Sequence, residues 1–314
     1  MSNQSEIRKL AGVHLGKAGD GSVVNPYQTP DAIDPSLLVA VPRHLNRTDY
    51  NIAEDNLPFI GFDVWNCYEV SALTTNGYPV SGVLKIKYPA NSPSIVESKS
   101  LKLFLNSFNM DRLADSVDDV IEVIQQTVET HLGELLDCAV SVKFFAYWDS
   151  ASSKKNHLHE EYRRIEHGIH MQSVVFNDFN ENPGLLEVSP GVSTSSVQRI
   201  TTNALRSNCQ ITNQPDWGDI YIFVKGPSQL VERSVLQYIV SMRNESHFHE
   251  EIVECVFKRL YDLLPRGTDI AVGALYTRRG GIDINPVRAT SFNALDEFAQ
   301  LTDINTMQFK TARQ

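Results

Sequence analysis

The sequence predicts an α+β fold of two tandem repeats, with antiparallel sheets and helices packed on one face. The first observation is an internal repeat, in which 78–109 is similar to 214–244: matched Pro and Gly positions lie 136 residues apart, and matched Glu, Leu and Asn positions lie 135 apart. One single-residue gap reconciles the two offsets, and an ordered set of matches is typical of a duplicated unit. The second observation is that each copy continues into an amphipathic helix and a further strand-like run.

In the first copy, the β-branched and aromatic run at 83–88 predicts a strand, and we interpret 100–108 as a second strand. Ser116 and Asp119 can cap the start of a helix whose apolar side chains recur every three or four residues. Residues 139–147 predict the last strand of this copy.

The second copy has the same order of elements. Residues 220–225 predict a strand and 235–242 a second strand-like run. A helix is expected from near His249, with its apolar residues on one stripe, and 270–276 predict a strand after it.

These patterns predict four segments in the 314 residues. They are an N-terminal arm at 1–48, a first module at 49–150, a polar connector at 151–170 and a second module at 171–314.

Composition disfavours several classes of protein. Twenty-eight Lys and Arg against 38 Asp and Glu give a formal charge of −10, which repels phosphate backbones, so we expect no direct nucleic-acid partner. No run approaches the ~20 apolar residues of a membrane helix, and the N-terminus lacks an apolar signal segment. We therefore expect a cytoplasmic protein with no membrane partner. Four cysteines without CxxC spacing suit neither a zinc clip nor a disulfide framework.

The strongest candidate for chemistry is Cys209, which Asp216 follows seven residues later across turn-forming residues. A loop of that length can return the carboxyl towards the thiol. A thiolate is a good nucleophile, and a nearby carboxylic acid can protonate what the thiolate creates. The alternative, which the spacing alone favours, is a small buried cysteine and an aspartate that caps a turn.

The segment SHFHEE at 246–251 begins a predicted helix. The positive end of the helix dipole disfavours protonation of His249 there and stabilises the charge of Glu250. The alternative is ordinary first-turn acids beside a solvated histidine. A second cluster lies in the connector, where we favour a polar linker over a metal site, so no metal is expected; its members are His157, His159, Glu160, His167 and His170.

A segment at 96–102 (VESKSLK) has the side chains to bind a purine or pterin. Glu97 can accept hydrogen bonds from an amidine-like N–H pair, while Ser98 and Lys99 can contact phosphate. The alternative is an exposed strand edge protected by lysines.

A segment at 276–286 (YTRRGGIDINP) places Arg278 and Arg279 before two glycines. Guanidinium groups hold phosphate well, and glycine lets a backbone approach a ligand closely. The alternative is a plain cationic turn. No GxGxxG follows a predicted strand, so a Rossmann-type nucleotide site is not expected.

Four segments in this order resemble the NADPH-dependent 7-cyano-7-deazaguanine reductases, the nitrile reductases of queuosine biosynthesis: ESKSLKLFLNSFN, NCQITNQPDWG, FHEEIVE and YTRRGGIDINP. The similarity is to the long, two-module subgroup and covers roughly residues 35–290. The resemblance implies tandem tunnelling-fold repeats, NADPH as cofactor, a deazapurine substrate and a homodimer.

The resemblance also implies residue roles. Cys209 matches the nucleophile that forms a covalent thioimidate with the nitrile carbon, and Asp216 matches the proton donor. Residues matching substrate contacts come from both halves: Val96, Glu97, Ser98, His249 and Glu250. Residues matching NADPH contacts are Ser98, Lys99, Arg278, Arg279 and Gly280. Gln210 follows the cysteine where shorter relatives usually carry Pro.

Two other functions compete with this one. A tunnelling-fold hydrolase acting on a pterin or purine would generally need a metal held by His and Cys ligands. A non-catalytic module that recognises a purine or a modified tRNA is the other, although the acidic balance disfavours tRNA.

Overall fold

Antiparallel strands and helices form the chain in the computed structural model, which describes residues 30–146, 153–154, 157–308, 310–312 and 314. This confirms the predicted α+β class of tandem tunnelling-fold repeats. Residues 1–29 of the predicted arm and parts of the predicted connector lie outside the described residues. No helix in the described ranges is long and apolar enough to cross a lipid bilayer.

The described residues form two compact units. Unit 1 takes its residues from Met1–Leu45, Trp65–Ser152 and Arg279–Ile282. Unit 2 takes its residues from Asn46–Val64, Ser153–Arg278 and Asp283–Gln314.

Unit 1 contains a sheet in which neighbouring strands follow the order β6-β3-β2, and a separate antiparallel pair of β1 with β4. Its elements are β1 (Ala40–Pro42), β2 (Ile60–Thr74, of which 60–64 belong to unit 2), β3 (Pro79–Pro89), β4 (Ser94–Val96), α1 (Ser98–Asn106), β5 (Arg112–Ala114), α2 (Val117–Leu136) and β6 (Ser141–Ala146). The predicted strand at 83–88 is confirmed within β3, and the one at 139–147 is confirmed over Ser141–Ala146, with Tyr147 outside the described residues.

Helix α2 forms as the sequence predicts. Ser116 is its N-cap and accepts a hydrogen bond from the Asp119 N–H. Val120, Ile124 and Val128 lie on its buried face at helical spacing. An amphipathic helix gains its stability by burying such a face against a sheet.

Unit 2 contains a sheet with the order β14-β13-β11-β10-β8, in which β10, β11, β13 and β14 pair antiparallel. Its elements are β7 (Ser153–Lys154), β8 (Arg163–Arg164), β9 (Val188–Pro190), β10 (Ser196–Asn208), β11 (Pro215–Gly226), β12 (Ser228–Leu230), α3 (Glu232–Ser241), α4 (His249–Leu263), β13 (Asp269–Tyr276), β14 (Ile282–Ala289) and β15 (Met307–Gln308). The described chain also contains several 3₁₀ turns and short α-helical turns, the latter at His44–Arg47, Leu158–Glu161, Phe292–Leu295 and Ala299–Thr302. The predicted strands at 220–225 and 270–276 and the helix from His249 are confirmed.

Two predicted strands, at 100–108 and 235–242, are wrong, because 100–106 lie in helix α1 and 235–241 lie in helix α3. In α1, leucines at 101, 103 and 105 alternate as in a strand, but the buried set is Leu101, Phe104 and Leu105. That spacing is helical. In α3, β-branched residues favoured a strand, yet Val235, Leu236 and Ile239 are buried on one helical stripe.

The structure corrects the register of the repeat. The Ser100 hydroxyl donates to Glu97 O (2.7 Å) and accepts from Val39 N (3.1 Å). The Ser234 hydroxyl donates to Val231 O (2.7 Å) and accepts from Glu187 N (2.9 Å). Since Ser100 and Ser234 are 134 positions apart, Glu97 corresponds to Val231 and not to Glu232. The gap between the two registers is therefore two residues, not one.

The repeat also begins earlier than the sequence comparison showed. DPSLLVAVP at 34–42 corresponds to NPGLLEVSP at 182–190. Asp34 and Asn182 each cap a 3₁₀ turn, and each turn leads into a strand, β1 or β9, that pairs with β4 or β12 of its own unit. Turn residues and one apolar pair carry this similarity, which is too short to stand out without the hydrogen bonds.

Buried charges fix helix α4 in unit 2. The Arg288 guanidinium lies 2.8 Å from Asp63 Oδ1 and 2.8 Å from Glu254 Oε1, and all three side chains are buried. Arg47 binds the other oxygen of Glu254 at 2.8 Å. Removing one partner of such a group is costly, because it leaves an uncompensated charge away from water. The network therefore holds α4 against β14 and the 60–64 part of β2.

The repeated serine predicts matched effects in the two units. Ser234→Ala and Ser100→Ala should each lower the free energy of unfolding by roughly 1–2 kcal/mol, because each removes one donor and one acceptor from a strand-to-helix junction. Urea denaturation measures both. Ser36→Ala, at an exposed position, is the control and should change stability little. An unchanged free energy of unfolding in Ser234→Ala would show that the hydrogen bonds of Ser234 do not stabilise unit 2.

Candidate active site

Cys209 lies directly after β10, at the start of the hairpin that leads into β11. Its N–H donates to Gln214 O (2.8 Å), and the Asn213 N–H donates to Cys209 O (2.9 Å). Asn213 adopts a left-handed backbone conformation (φ 55°), which asparagine tolerates better than most residues. The predicted turn residues thus form the loop, and the Cys209 side chain is buried (7 % exposed).

Asp216 lies on the second strand of this hairpin. It pairs directly across from Ser207 of β10, two positions before Cys209. Directly opposed residues share a face of a sheet, and so do residues two apart on one strand. Ser207, Cys209 and Asp216 are therefore placed on the same face, and the Asp216 carboxylate is buried (3 % exposed).

His249 is the first residue of α4 and joins this group. Its Nε2 lies 3.4 Å from Asp216 Oδ2. Its ring is stacked on the Tyr276 ring, with centroids 3.7 Å apart and planes 2° from parallel. Gly218 makes room for the tyrosine, because a Cβ at that position would lie 3.2 Å from Tyr276 Cδ1. The structure therefore brings together Asp216, His249 and Tyr276, which lie far apart in the sequence.

Glu250 is the second residue of α4, and its carboxylate is buried (3 % exposed). Burial, and then the charges of Asp216 and Glu250, raise the pKa of Tyr276 well above its ordinary value of 10.0. The tyrosine hydroxyl consequently stays protonated and can donate a hydrogen bond. This part of the site combines two carboxylates with one neutral donor.

Buried polar atoms without a hydrogen-bond partner cluster around the ends of these strands and the start of α4. Among the described residues, they include Ser207 Oγ, Gln210 Oε1, His249 Nδ1, Tyr276 OH and Thr277 Oγ1. Buried polar groups in native proteins are nearly always bonded, so a cluster of unbonded ones indicates a place where a polar ligand binds. Sequence reasoning did not identify Ser207, Tyr276 or Thr277. The alternation of side chains along β10, together with the cross-strand register, is the signal that identifies Ser207.

The chain just before α4 is tied to the end of β10. The Asn208 N–H donates to Glu245 O (2.7 Å), and the His247 N–H donates to Asn208 O (3.1 Å). The His247 ring lies 2.7 Å from Glu251 and 3.2 Å from Glu245. Burial lowers the pKa of His247, but the two carboxylates outweigh burial and raise it to about 10. His247, which the sequence analysis overlooked, is thus an imidazolium between two carboxylates.

In unit 1, the predicted substrate segment joins a strand to a helix. Val96 ends β4, Glu97 is the N-cap of α1 and Ser98 is its first residue. Glu97 Oε2 accepts from Ser100 N (2.7 Å), and the Lys99 ammonium lies 3.5 Å from Glu97 Oε1. The buried Glu97 carboxylate therefore also stabilises the fold, because it caps the N-terminus of helix α1.

The predicted cofactor residues lie partly in unit 1 as well. Gly280 and Gly281 both have positive φ (59° and 80°), the left-handed region that favours glycine. The Lys102 ammonium donates to Gly280 O (2.6 Å) and pairs with Glu69 at 3.0 Å. Arg279 closes this turn by pairing with Ile282, whereas Arg278 belongs to unit 2.

The histidine cluster of the predicted connector is used in separate contacts. His157 lies 2.9 Å from both Gln300 Oε1 and Glu297 O, and His159 lies 3.2 Å from the Tyr221 hydroxyl. In the described part of the chain, no group of three His, Cys, Asp or Glu side chains is arranged to hold a metal ion.

The repeated units and this buried cysteine–carboxylate–imidazole group define the class: a two-module enzyme of the tunnelling fold. Comparison with protein families agrees. The model described as nitrile reductase, 7-cyano-7-deazaguanine-reductase N-term, matches residues 29–144, and the model described as QueF-like protein matches residues 215–294. Together they match more than half of the chain, one in each half. The chain belongs to the 7-cyano-7-deazaguanine reductase family, the nitrile reductases of queuosine biosynthesis.

The raised pKa of His247 predicts a pH dependence of stability. Because the folded-state pKa of about 10 lies above the ordinary 6.5, the stabilisation is complete below pH 6.5 and is lost as pH rises through 10. The difference in unfolding free energy between the wild type and His247→Gln should shrink across this window, by at most about 1.4 kcal/mol per pH unit. Urea denaturation of both proteins at several pH values checks it. Parallel stability curves would show that the imidazolium contributes nothing.

Proposed function

We propose that the chain uses NADPH to reduce the nitrile of 7-cyano-7-deazaguanine to the primary amine of 7-aminomethyl-7-deazaguanine, through a covalent thioimidate on Cys209. One observation carries this proposal: a buried cysteine shares a sheet face with an aspartate that lies 3.4 Å from an imidazole, among buried polar atoms with no partner. Family membership supplies the reaction class, and the residues supply the mechanism.

Cys209 is the nucleophile in this proposal. Its sulfur bonds to the nitrile carbon, and one electron pair of the triple bond moves to nitrogen. Asp216 accepts the proton that the thiol loses and delivers it to that nitrogen, so that its carboxylate is regenerated. The step is neutral overall and leaves a C=N carbon attached to sulfur. His249, whose Nε2 lies 3.4 Å from Asp216 Oδ2, keeps the Asp216 carboxyl oriented.

The remaining polar groups of unit 2 bind and orient the base. A deazaguanine presents N–H donors and a carbonyl acceptor, and the Glu250 carboxylate suits the donors. The unpartnered atoms of Ser207, Gln210 and Thr277 suit its other polar edges. Burial of the site also keeps water from the imine that follows the first reduction, since water would hydrolyse it to an aldehyde.

The donor set of unit 1 fits the phosphates of a nicotinamide dinucleotide. Ser98 begins helix α1, whose N-terminus favours anions, and Lys99 and Lys102 are each about one third exposed (31 % and 35 %). A Cβ at Gly280 would meet only the flexible Lys102 side chain, at 3.5 Å. We propose that these residues, with Arg278 and Arg279, hold NADPH. When bound, NADPH supplies the two hydrides, one per molecule, that convert nitrile to amine.

The roles of Val96, Glu97 and Ser98 in substrate binding remain predictions, as do the homodimer and the lack of direct nucleic-acid contact. Glu97→Gln tests the first of these well, because the amide oxygen preserves the cap that Ser100 N needs and removes only the charge.

Cys209→Ala should abolish both the covalent adduct and turnover, because no other group replaces the sulfur. Mass spectrometry of the protein mixed with the cyano base, without NADPH, measures the adduct. Cys138→Ala, in unit 1, is the matched control and should form the adduct normally. Turnover by Cys209→Ala at the wild-type rate would exclude the covalent mechanism.

Asp216→Asn should bind the cyano base but reduce it about 10²–10⁴-fold more slowly, because the amide cannot deliver a proton. Equilibrium binding measures the affinity for the base, and the loss of the NADPH absorbance band measures the rate of reduction. Asp262→Asn, at an exposed position of unit 2, is the control. Unchanged turnover in Asp216→Asn would assign the proton to another group.

A further inference from the structure

Tyr276 begins the motif YTRRGGIDINP, but neither the sequence analysis nor the mechanism above gives it a role. It ends β13 and is fully buried, and its hydroxyl has no hydrogen-bond partner among the described residues. A tyrosine buried for packing alone ordinarily finds a partner for its hydroxyl, because an unmet polar group costs free energy in a dry interior. The unpartnered hydroxyl therefore indicates that it binds an atom of a ligand.

The ring is held against the reacting residues of unit 2. Tyr276 pairs directly across from Gly218 of β11, and Asp216 lies two positions before that glycine on the same strand face. The ring is stacked 3.7 Å from His249, whose Nε2 is 3.4 Å from Asp216. These contacts place Tyr276 beside the Asp216–His249 pair.

The proposed reaction beside Asp216 and Glu250 needs an uncharged hydrogen-bond donor. Asp216 and Glu250 are both buried carboxylates, and both act electrostatically on the Tyr276 hydroxyl. Their negative charge disfavours further negative charge nearby. Addition of sulfur to a nitrile nevertheless drives an electron pair onto nitrogen, so negative charge develops there before Asp216 protonates it. A hydroxyl that stays protonated lowers that barrier by donating a hydrogen bond to the nitrogen.

We propose that Tyr276 is a further catalytic residue, whose hydroxyl donates a hydrogen bond to the nitrile-derived nitrogen as Cys209 adds to the carbon. It transfers no proton, because Asp216 supplies the one that nitrogen gains. The hydroxyl stabilises negative charge that develops on nitrogen, as an oxyanion-hole donor stabilises negative charge on oxygen. The inference rests on the proposed function of this site.

The test compares wild type, Tyr276→Phe and Tyr238→Phe in the full chain. Phenylalanine keeps the ring on which His249 is stacked and removes only the hydroxyl. Tyr238 is the matched control, because it is a fully buried tyrosine of the same unit whose hydroxyl binds Glu181 at 3.0 Å. Each protein is mixed with 7-cyano-7-deazaguanine without NADPH. The rate of adduct formation is followed by mass spectrometry, and affinity is taken from the dependence of that rate on base concentration.

We expect Tyr276→Phe to form the adduct roughly 10²-fold more slowly than wild type, as for the loss of one oxyanion-hole donor. The affinity for the base should change less than about threefold, because the donor acts mainly on charge that develops during the reaction. Tyr238→Phe should form the adduct at nearly the wild-type rate.

Equal rates for wild type and Tyr276→Phe would overturn the role of Tyr276, and so would an equal slowing of both variants. A wild type that forms no adduct would instead overturn the proposed function. Thermal unfolding of all three proteins shows whether Tyr276→Phe is folded, and the affinity readout separates lost chemistry from lost binding.

Discussion

The site depends on the join between the end of β10 and the chain that enters α4. Two main-chain hydrogen bonds make it: Asn208 N–H donates to Glu245 O at 2.7 Å, and His247 N–H donates to Asn208 O at 3.1 Å. Cys209 follows on one side of this join, and His249 follows on the other. The His247 imidazolium stiffens it by binding Glu245 and Glu251 from the same ring. Backbone pairing thus sets the register between the segment that carries Cys209 and the segment that carries His249.

Duplication explains how one scaffold came to carry Cys209, the proposed nucleophile, in a single copy. The hairpin of unit 1 closes with Thr74 N–H donating to Tyr78 O at 2.9 Å, as Cys209 N–H donates to Gln214 O at 2.8 Å in unit 2. Thr74 therefore stands where unit 2 has Cys209, and Val80 stands where unit 2 has Asp216. The polar junctions between strand and helix are kept in both units, because their backbone groups must be satisfied wherever the fold occurs. Chemistry changed at positions that the fold does not need.

The unpartnered buried polar atoms of unit 2 lower the stability of the folded protein, but they can also strengthen ligand binding. Ser207, Gln210, His249, Tyr276 and Thr277 each bury an atom with no partner in the described chain. Each such atom costs the folded protein free energy, and a ligand that meets it recovers that cost on binding. A flat, hydrogen-bonding heterocycle, such as the proposed substrate, can meet several of these atoms at once. The network around Arg288 and Glu254 supplies rigidity nearby, so that α4 keeps its place while its first turn stays available to a ligand.

The sequence by itself determined the α+β class, the duplication and the long helices, because these follow from periodicity, caps and repeated spacing along a local stretch of chain. The spacing around Cys209 alone favoured a small buried cysteine, so its role as nucleophile rests on the family resemblance and stays a proposal. The sequence misjudged α1 and α3, where alternating leucines and β-branched residues imitate strands over a few residues. The sequence comparison also aligned the second part of the repeat one residue out of register. The matching hydrogen bonds of Ser100 and Ser234 show which residues are equivalent more reliably than matching residue types do. Only the tertiary structure decided that Tyr276 lies under His249 and that His247 lies between two carboxylates. Those relations join residues from different strands and helices, and no local pattern encodes a distance across a sheet.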